Sequence, residues 1–330
     1  MTVRPTRSAF VAGAMTAALG LASRAGAQTT RPLTTLRVST APDEDAVACL
    51  WAQQSGIFRR AGLEVVLIAS GNGASMTPAV VSGNIDIGKA SLVGLIAAHV
   101  RGIPLTLVAP AALYDVDAPV TGTLVRADSP LRTARDLNGK TISVQSLKGA
   151  MQIATMAWID QHGGDSASVK FIELPPPAVG LALESGRVDA ATLANPSFNE
   201  LIDTKKARVI GWTSEAVGRR FLLAAYFCTA EFAQRNGDVV ARFAKAIQES
   251  GAYTNAHRAE TVDAIARFTA IKPEQIARMT RVTCGLTLDP AQIQPQIDIA
   301  VKYKLIPERF DARELIDPGA AKALAEGANR

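Results

Sequence analysis

Apolar residues in this chain follow two rhythms that take turns. Residues 36–40 and 63–68 are β-branched runs of strand length, and residues 47–55 between them carry apolar positions at helical spacing up to a stop at Gly56. Gly62 restarts the chain as the second strand. Ser70-Gly71-Asn72-Gly73-Ala74-Ser75 is then a turn that opens a helix, and Ser82-Gly83 ends that helix before a buried strand around Ile85-Asp86-Ile87-Gly88. The same succession returns later. Residues 140–144, a helical stretch ending near His162, residues 169–174 and an apolar helix ending at Leu183 lead into Ser185-Gly186-Arg187-Val188-Asp189-Ala190-Ala191. The stretches from Ser82 and Ser185 lie 103 residues apart, and the elements around them keep an offset of about 103 to 106. Matching order and spacing over about fifty residues predicts two βαβαβ units of one design in series.

The rest of the chain fits around these units. Residues 91–99 read as a helix and 103–110 as a strand, and the chain leaves the first unit between Ala112 and Thr123. Residues 209–212 form a short strand and 222–228 the path back. From Glu231 the spacing is helical over 239–254, 259–269, 273–282 and 291–305, with Val240, Phe243, Ala244 and Ile247 on one core-facing side. The expected fold class is α/β: two α/β lobes with a ligand cleft between them and a helical C-terminal part packed on the first lobe. Lobe 1 is expected to take residues 33–118 plus 228–330, and lobe 2 residues 119–227.

Composition changes this picture mainly at the N-terminus. Arg4 and Arg7 precede an apolar run at 9–21 and a small-x-small site at Ala25-Gly26-Ala27, so residues 1–27 read as a signal peptide cleaved near Ala27. Arg4, Arg7 and Arg24 leave with it and no acid does, which lowers the formal charge from +5 to +2. No Lys/Arg cluster remains to suggest a nucleic-acid surface. Three cysteines (Cys49, Cys228, Cys284) leave at least one unpaired in an exported chain, and buried structural thiols are the plain expectation, with one bridge left open. His99, His162 and His257 are scattered and no Cys/His spacing suits a metal, so neither metal nor cofactor is expected.

Parallel α/β sheets take ligands beyond the carboxyl ends of their strands. The loops so placed are 39–43, 70–74, 89–91, 145–150 and 194–196. Asp43, Glu44 and Asp45 suit the positive end of the helix that follows; alternatively, Asp43 or Glu44 faces the ligand and favours a polar or cationic group. Residues 70–75 match neither a phosphate loop nor a dinucleotide fingerprint. Ser146 and Lys148 beside a helix start suit an anionic oxygen, although Lys148 equally reads as a solvated side chain. These loops hold hydroxyls, amides and lysines, but no nucleophile–base pair or carboxylate pair that would indicate catalysis.

Ser55-Gly56-Ile57-Phe58 with Gly62-Leu63-Glu64-Val65, Ser82-Gly83-Asn84-Ile85-Asp86-Ile87, Arg101-Gly102-Ile103-Pro104-Leu105 and Asp136-Leu137-Asn138-Gly139-Lys140-Thr141-Ile142 resemble the solute-binding proteins of ABC importers. The group is the nitrate/sulfonate/taurine and thiamine-pyrimidine-precursor type, and the similarity runs from about residue 35 to about 305. The resemblance implies the type II periplasmic binding fold, a periplasmic location, closure of two lobes on a small solute, and delivery by a monomer to an inner-membrane permease. Carried over position by position, it implies ligand contacts at Pro42, Asp43, Asn72, Lys89, Ala90, Ser91, Ser146, Lys148, Gly149, Ala150 and Asn195, with Tyr114 as a stacking wall near the first crossing. Relatives that carry anions usually have uncharged polar residues where this chain has Asp43-Glu44-Asp45, which leaves a zwitterionic, heteroaromatic or neutral polar solute open. Fungal pyrimidine-synthesising enzymes resemble the same fold; they use a site histidine and a cysteine-rich iron-binding motif, and this chain has no comparable cluster. A ligand-sensing receptor, or a solute receptor for another transporter class, is the other alternative.

Overall fold

The computed structural model describes residues 33–70 and 73–328; the expected leader at 1–27 and the candidate Asn72 lie outside the described residues. In chain order the strands are β1 (Thr34–Thr40), β2 (Leu63–Ala69), β3 (Ile87–Ser91), β4 (Leu105–Pro110), β5 (Ala112–Asp115), β6 (Thr121–Arg126) and β7 (Thr141–Val144). They continue as β8 (Lys170–Glu173), β9 (Ala190–Ala194), β10 (Ala207–Gly211), β11 (Arg220–Leu222), β12 (Ala224–Thr229) and β13 (Thr283–Cys284). Two five-stranded sheets result, ordered β2-β1-β3-β12-β4 and β10-β6-β9-β7-β8. They are two renderings of one plan. A parallel core, β2-β1-β3 or β8-β7-β9, is followed in each by one antiparallel strand, β12 or β6. Even the register repeats: Val38 pairs with Ile87 in the first sheet and Ile142 with Ala190 in the second.

The echoed seven-residue stretch has a structural cause. Gly83 and Gly186 end their helices at φ of 73° and 71°, in the left-handed region that glycine occupies without strain. The aspartate three residues on then ties the incoming chain to the middle strand of the parallel core, β1 or β7. Asp86 accepts from the Arg37 main-chain N–H at 2.7 Å, and Asp189 accepts from that of Thr141 at 2.8 Å. Their own N–H groups donate back to the carbonyls of Arg37 and Thr141 at 3.0 and 2.9 Å. Because these aspartates serve as tethers, the strands proper start one residue later, at Ile87 and Ala190.

Alternation along the strands sends successive residues to opposite faces. In the second sheet Leu124, Ala191 and Leu193 meet Val179, Leu183, Phe198 and Leu201 on one side. Val125, Ile142 and Ala190 meet Trp158 and Ile159 on the other. In the first lobe Leu36, Val38, Leu63 and Ile87 share a core with Val47 and Leu50 of the helix Val47–Gln54 and with Val240, Phe243 and Ile247 of the helix Gly237–Ala256. Phe243 stacks on Phe58 and meets Tyr226 edge-on, with ring centres 5.7 and 5.4 Å apart. A helix at Pro318–Ala328, beyond the helical stretches expected up to residue 305, adds Ala320 and Leu324 to this core.

The two crossings bind each other. Outgoing β5 pairs antiparallel with returning β11, joining Tyr114 to Phe221, and β13 flanks β5 on its other edge. The chain is back in the first sheet by Ala224, where β12 begins, ahead of the residue 228 expected from sequence. Among the described residues no helix is long and apolar enough to cross a membrane.

Candidate functional site

At the carboxyl end of β1 the chain turns through Ala41, Pro42 and Asp43, with the Asp43 N–H donating to the Ala41 carbonyl at 2.9 Å. Pro42 is exposed and Asp43 half-exposed. Across the sheet edge β3 ends in Lys89, Ala90 and Ser91. The Lys89 side chain is only 3% exposed, and its Nζ donates to Asp43 Oδ1 at 2.6 Å while also pairing with Asp45. Burial pulls the Lys89 pKa down and Asp43 opposes the shift. Two carboxylates against one covered ammonium leave the Asp43 carboxylate as the charged group with solvent access. Ala90 is half-buried; Ser91 is exposed, precedes the helix Leu92–Val100 and makes no side-chain capping bond.

Glu44 corrects one of the two sequence readings, because it turns away from the cleft. Its carboxylate is buried, accepts from the Val282 N–H at 3.0 Å and pairs with the equally buried Arg281 guanidinium. Burial pushes the Glu44 carboxyl up; Arg281 counters it. Thus Asp43 is the more exposed of the two carboxylates on Lys89, and Glu44 fastens the turn to the C-terminal segment.

On the second lobe, residues 145–148 after β7 are exposed. The Leu147 N–H donates to Glu173 at 3.1 Å and the Lys148 N–H to Gln152 at 2.6 Å, while the Ser146 hydroxyl reaches only the next carbonyl, at 3.4 Å. Lys148 sits at φ 57°, and no ion pair of its side chain occurs among the described residues. Gly149 then enters the helix Ala150–Gln161 in an extended conformation with no side chain capping it. A β-carbon on Gly149 would lie 3.0 Å from the Ser146 carbonyl oxygen, so the turn is tight as well as open. Ala150 begins the helix, half-buried.

Asn195 follows β9. Its Nδ2 donates to the Thr280 carbonyl of the C-terminal part at 2.7 Å, and its Oδ1 is buried without a hydrogen-bond partner among the described residues. A second contact between the lobes is apolar, where Ile153 and Ala157 meet Val93 and Ile299. Beside it the Tyr303 hydroxyl donates to Asp160 Oδ2 at 2.7 Å, which helps to hold the Asp160 carboxyl below its ordinary value despite partial burial.

Tyr114 is not an open stacking wall. It lies inside the crossing with none of its surface exposed, and its ring packs on Phe221 with centres 5.0 Å apart. Burial first, then Glu215 and Asp115, push its phenol up to about 12. The structure therefore joins Asp43 to Lys89, keeps 146–150 together on the other lobe, and removes Tyr114 from the cleft wall. Asp45, Thr280 and Arg281 are the participants that sequence reasoning passed over. The acidic run itself pointed to Asp45, whereas nothing local marks the other two.

The three cysteines are free and buried. Burial pushes the Cys49 and Cys228 thiols up to about 12, so they are packing groups at neutral pH. His99 lies against Phe310, His162 against Trp158 and His257 against Tyr253, all away from the cleft loops. Among the described residues no group of three or more His, Cys, Asp or Glu is placed to hold a metal ion.

Residues 44–261 match the model of the family described as NMT1/THI5 like. The 4-amino-5-hydroxymethyl-2-methylpyrimidine phosphate synthase THI13 of Saccharomyces cerevisiae is 26% identical over 235 residues, covering 68% of this chain and 66% of the yeast protein. The taurine-binding periplasmic protein of Escherichia coli is 28% identical over 177 residues, 53% of this chain and 52% of that protein. Among solved structures, the periplasmic aliphatic sulphonate binding protein SsuA of Escherichia coli superposes with a TM-score of 0.71 at 20% identity, over 86% of this chain and 92% of that one. The fold is the periplasmic binding protein fold, and the order 2-1-3-n-4 of the first sheet is its type II form.

Proposed function

Because this chain belongs to the NMT1/THI5-like family, we propose that it is the solute-binding component of an ABC importer, capturing a small polar or aromatic solute between its lobes. The observation that carries this is the joining of two separately built sheets where β5 pairs with β11 and β13, each sheet having a parallel core of the kind that takes ligands beyond its carboxyl strand ends. Lobe 1 comprises residues 33–118 together with the chain from β12 onward, and lobe 2 the residues between. Contacts from both lobes coexist only when the gap shuts, so solute shifts an open–closed equilibrium that a membrane permease reads. The protein works in the periplasm as a monomer, after export on its N-terminal leader.

The chemistry of the two lips differs. The first lobe offers the Asp43 carboxylate, because the Lys89 charge is already held by Asp43 and Asp45. The second offers the uncapped helix start at Gly149, the Ser146 hydroxyl and Lys148. A solute with a donor or cationic nitrogen at one end and an anionic or polar oxygen at the other fits both.

The yeast synthase relatives favour an enzymatic reading as the alternative. Against it, no histidine stands on the cleft loops and the buried thiols are unreactive in character. Thermal-shift screening of the purified protein against sulfonates, amines, amino acids, pyrimidines and aromatic acids separates the readings. A true solute at about a hundred times its Kd adds about 2.7 kcal/mol to stability and is recovered unchanged. Conversion of a bound pyrimidine precursor would instead support the enzyme.

A further inference from the structure

The geometry points to Asn195 as a latch that ties the second lobe to the first through the main chain at Thr280. The inference rests on reading the gap as one that opens and closes. Asn195 stands at the end of β9 in the second sheet, 85 residues before Thr280, and the bond from its Nδ2 is 2.7 Å long. Such a bond joins lobes, not neighbours within one, so turning either lobe away from the other breaks it while the β5–β11 pairing stays intact.

The acceptor is held in place from several sides. Next to Thr280, Arg281 pairs with Glu44 and reaches the Arg258 carbonyl and the Thr261 hydroxyl, each at 3.3 Å. Val282 donates to Glu44, and Asn255 grips both the N–H and the carbonyl of Cys284, at 2.8 and 3.0 Å. The segment that receives the latch is therefore the same one that anchors the acidic turn carrying Asp43. Asn195 is accordingly a positioning residue: its bond to Thr280 and the anchor of the Asp43 turn share one short stretch, 280–282, beside the apolar and Tyr303–Asp160 contacts between the lobes. With Nδ2 engaged at Thr280, the Asn195 Oδ1 is buried without a hydrogen-bond partner among the described residues.

The test measures lobe separation on the protein alone. Spin labels go on Glu200→Cys in the second lobe and Ala277→Cys in the first, both exposed positions; the native cysteines are at most 2% exposed and stay unlabelled. Electron–electron distance distributions are recorded for this parent and for Asn195→Ala, Asn195→Asp and Thr280→Ala. Asn195→Ala is expected to raise the long-distance population several-fold. Asn195→Asp does so as well, because it sets a carboxylate oxygen against the Thr280 carbonyl and serves if the alanine variant folds poorly. Thr280→Ala leaves the distribution unchanged, since the acceptor is main chain. Distances in both Asn195 variants equal to the parent, or a shift in Thr280→Ala as large as theirs, overturn the latch. Solute plays no part in this measurement. Failure to find a solute therefore counts against the importer reading alone, and unchanged distances count against the latch alone.

Discussion

Replacing Glu44 by alanine tests how the acidic turn is fixed. The Glu44 and Arg281 side chains are 10% and 8% exposed, so the substitution leaves a guanidinium in the interior with its main counter-charge gone. Breaking a buried pair from one side costs about 3–5 kcal/mol. Arg281 retains two neutral acceptors at 3.3 Å, which favours the lower end, while the Val282 N–H also loses its acceptor. The expected loss is about 3–4 kcal/mol, or a fall in Tm of roughly 6–16 °C at the 2–4 °C per kcal/mol typical of larger domains. Urea unfolding of the wild type, Glu44→Ala, Arg281→Met and the double variant Glu44→Met/Arg281→Met measures it. The double variant should lie within about 1.5 kcal/mol of wild type, because removing both charges also removes their desolvation cost. Equal loss in the double and single variants, or a single-variant loss below about 1 kcal/mol, refutes the view that a buried charge pair sets this turn.

Three further outcomes follow from the same geometry. Lys148→Gly should weaken an anionic-ended solute about tenfold or more, as expected for losing a charge-assisted contact. Stability should change by less than about 0.5 kcal/mol, since relief of the left-handed backbone at φ 57° offsets the freedom glycine gains when unfolded; unchanged affinity in calorimetry removes Lys148 from the site. Asp43→Asn should weaken a solute with a cationic nitrogen by a similar factor, and an equal effect on a purely anionic solute would count against the assignment of that lip. For pH, the Asp160 carboxyl is held below its ordinary value of 3.8 with the help of the Tyr303 hydroxyl. Its contribution is therefore complete above the ordinary carboxylate range and disappears as pH falls through the lowered value. Tyr303→Phe should cost about 0.5–1 kcal/mol at pH 7, since the carboxylate is only slightly buried, and flatten the acid limb in a stability titration between pH 2 and 5. Parallel acid limbs in the two proteins would dissociate the pair from that loss.

The duplicated architecture was legible because it is written in local periods. A strand with one or both faces covered, a helix with an apolar side and a glycine at positive φ each leave a mark within ten residues. The stretches at Ser82 and Ser185 repeat because each lobe needs the same helix stop and the same aspartate tether. The positions of the loops at the strand ends follow from the same periods, whereas the choice of Lys89, Gly149 and Ala150 within them rests on the family resemblance. Strand β6 is not legible because residues 121–126 follow directly on the crossing strand β5 and the turn at 115–118, and the helix at Pro318–Ala328 is not because it is built mainly of alanine.

What charge and orientation those side chains present was set elsewhere. The resemblance offers Lys89 to a ligand, yet folding places Asp43, 46 residues away, against it. Glu44 stands beside Asp43 in the chain but faces the other way, drawn inward by Arg281 at a separation of 237 residues. Tyr114 is claimed by Phe221 across the crossing, and Asn195 by the main chain of Thr280. Burial periods are properties of a segment and survive in its composition. Ion pairing and hydrogen bonding fall off within a few ångströms, so they depend on which distant residue the packed chain brings within reach.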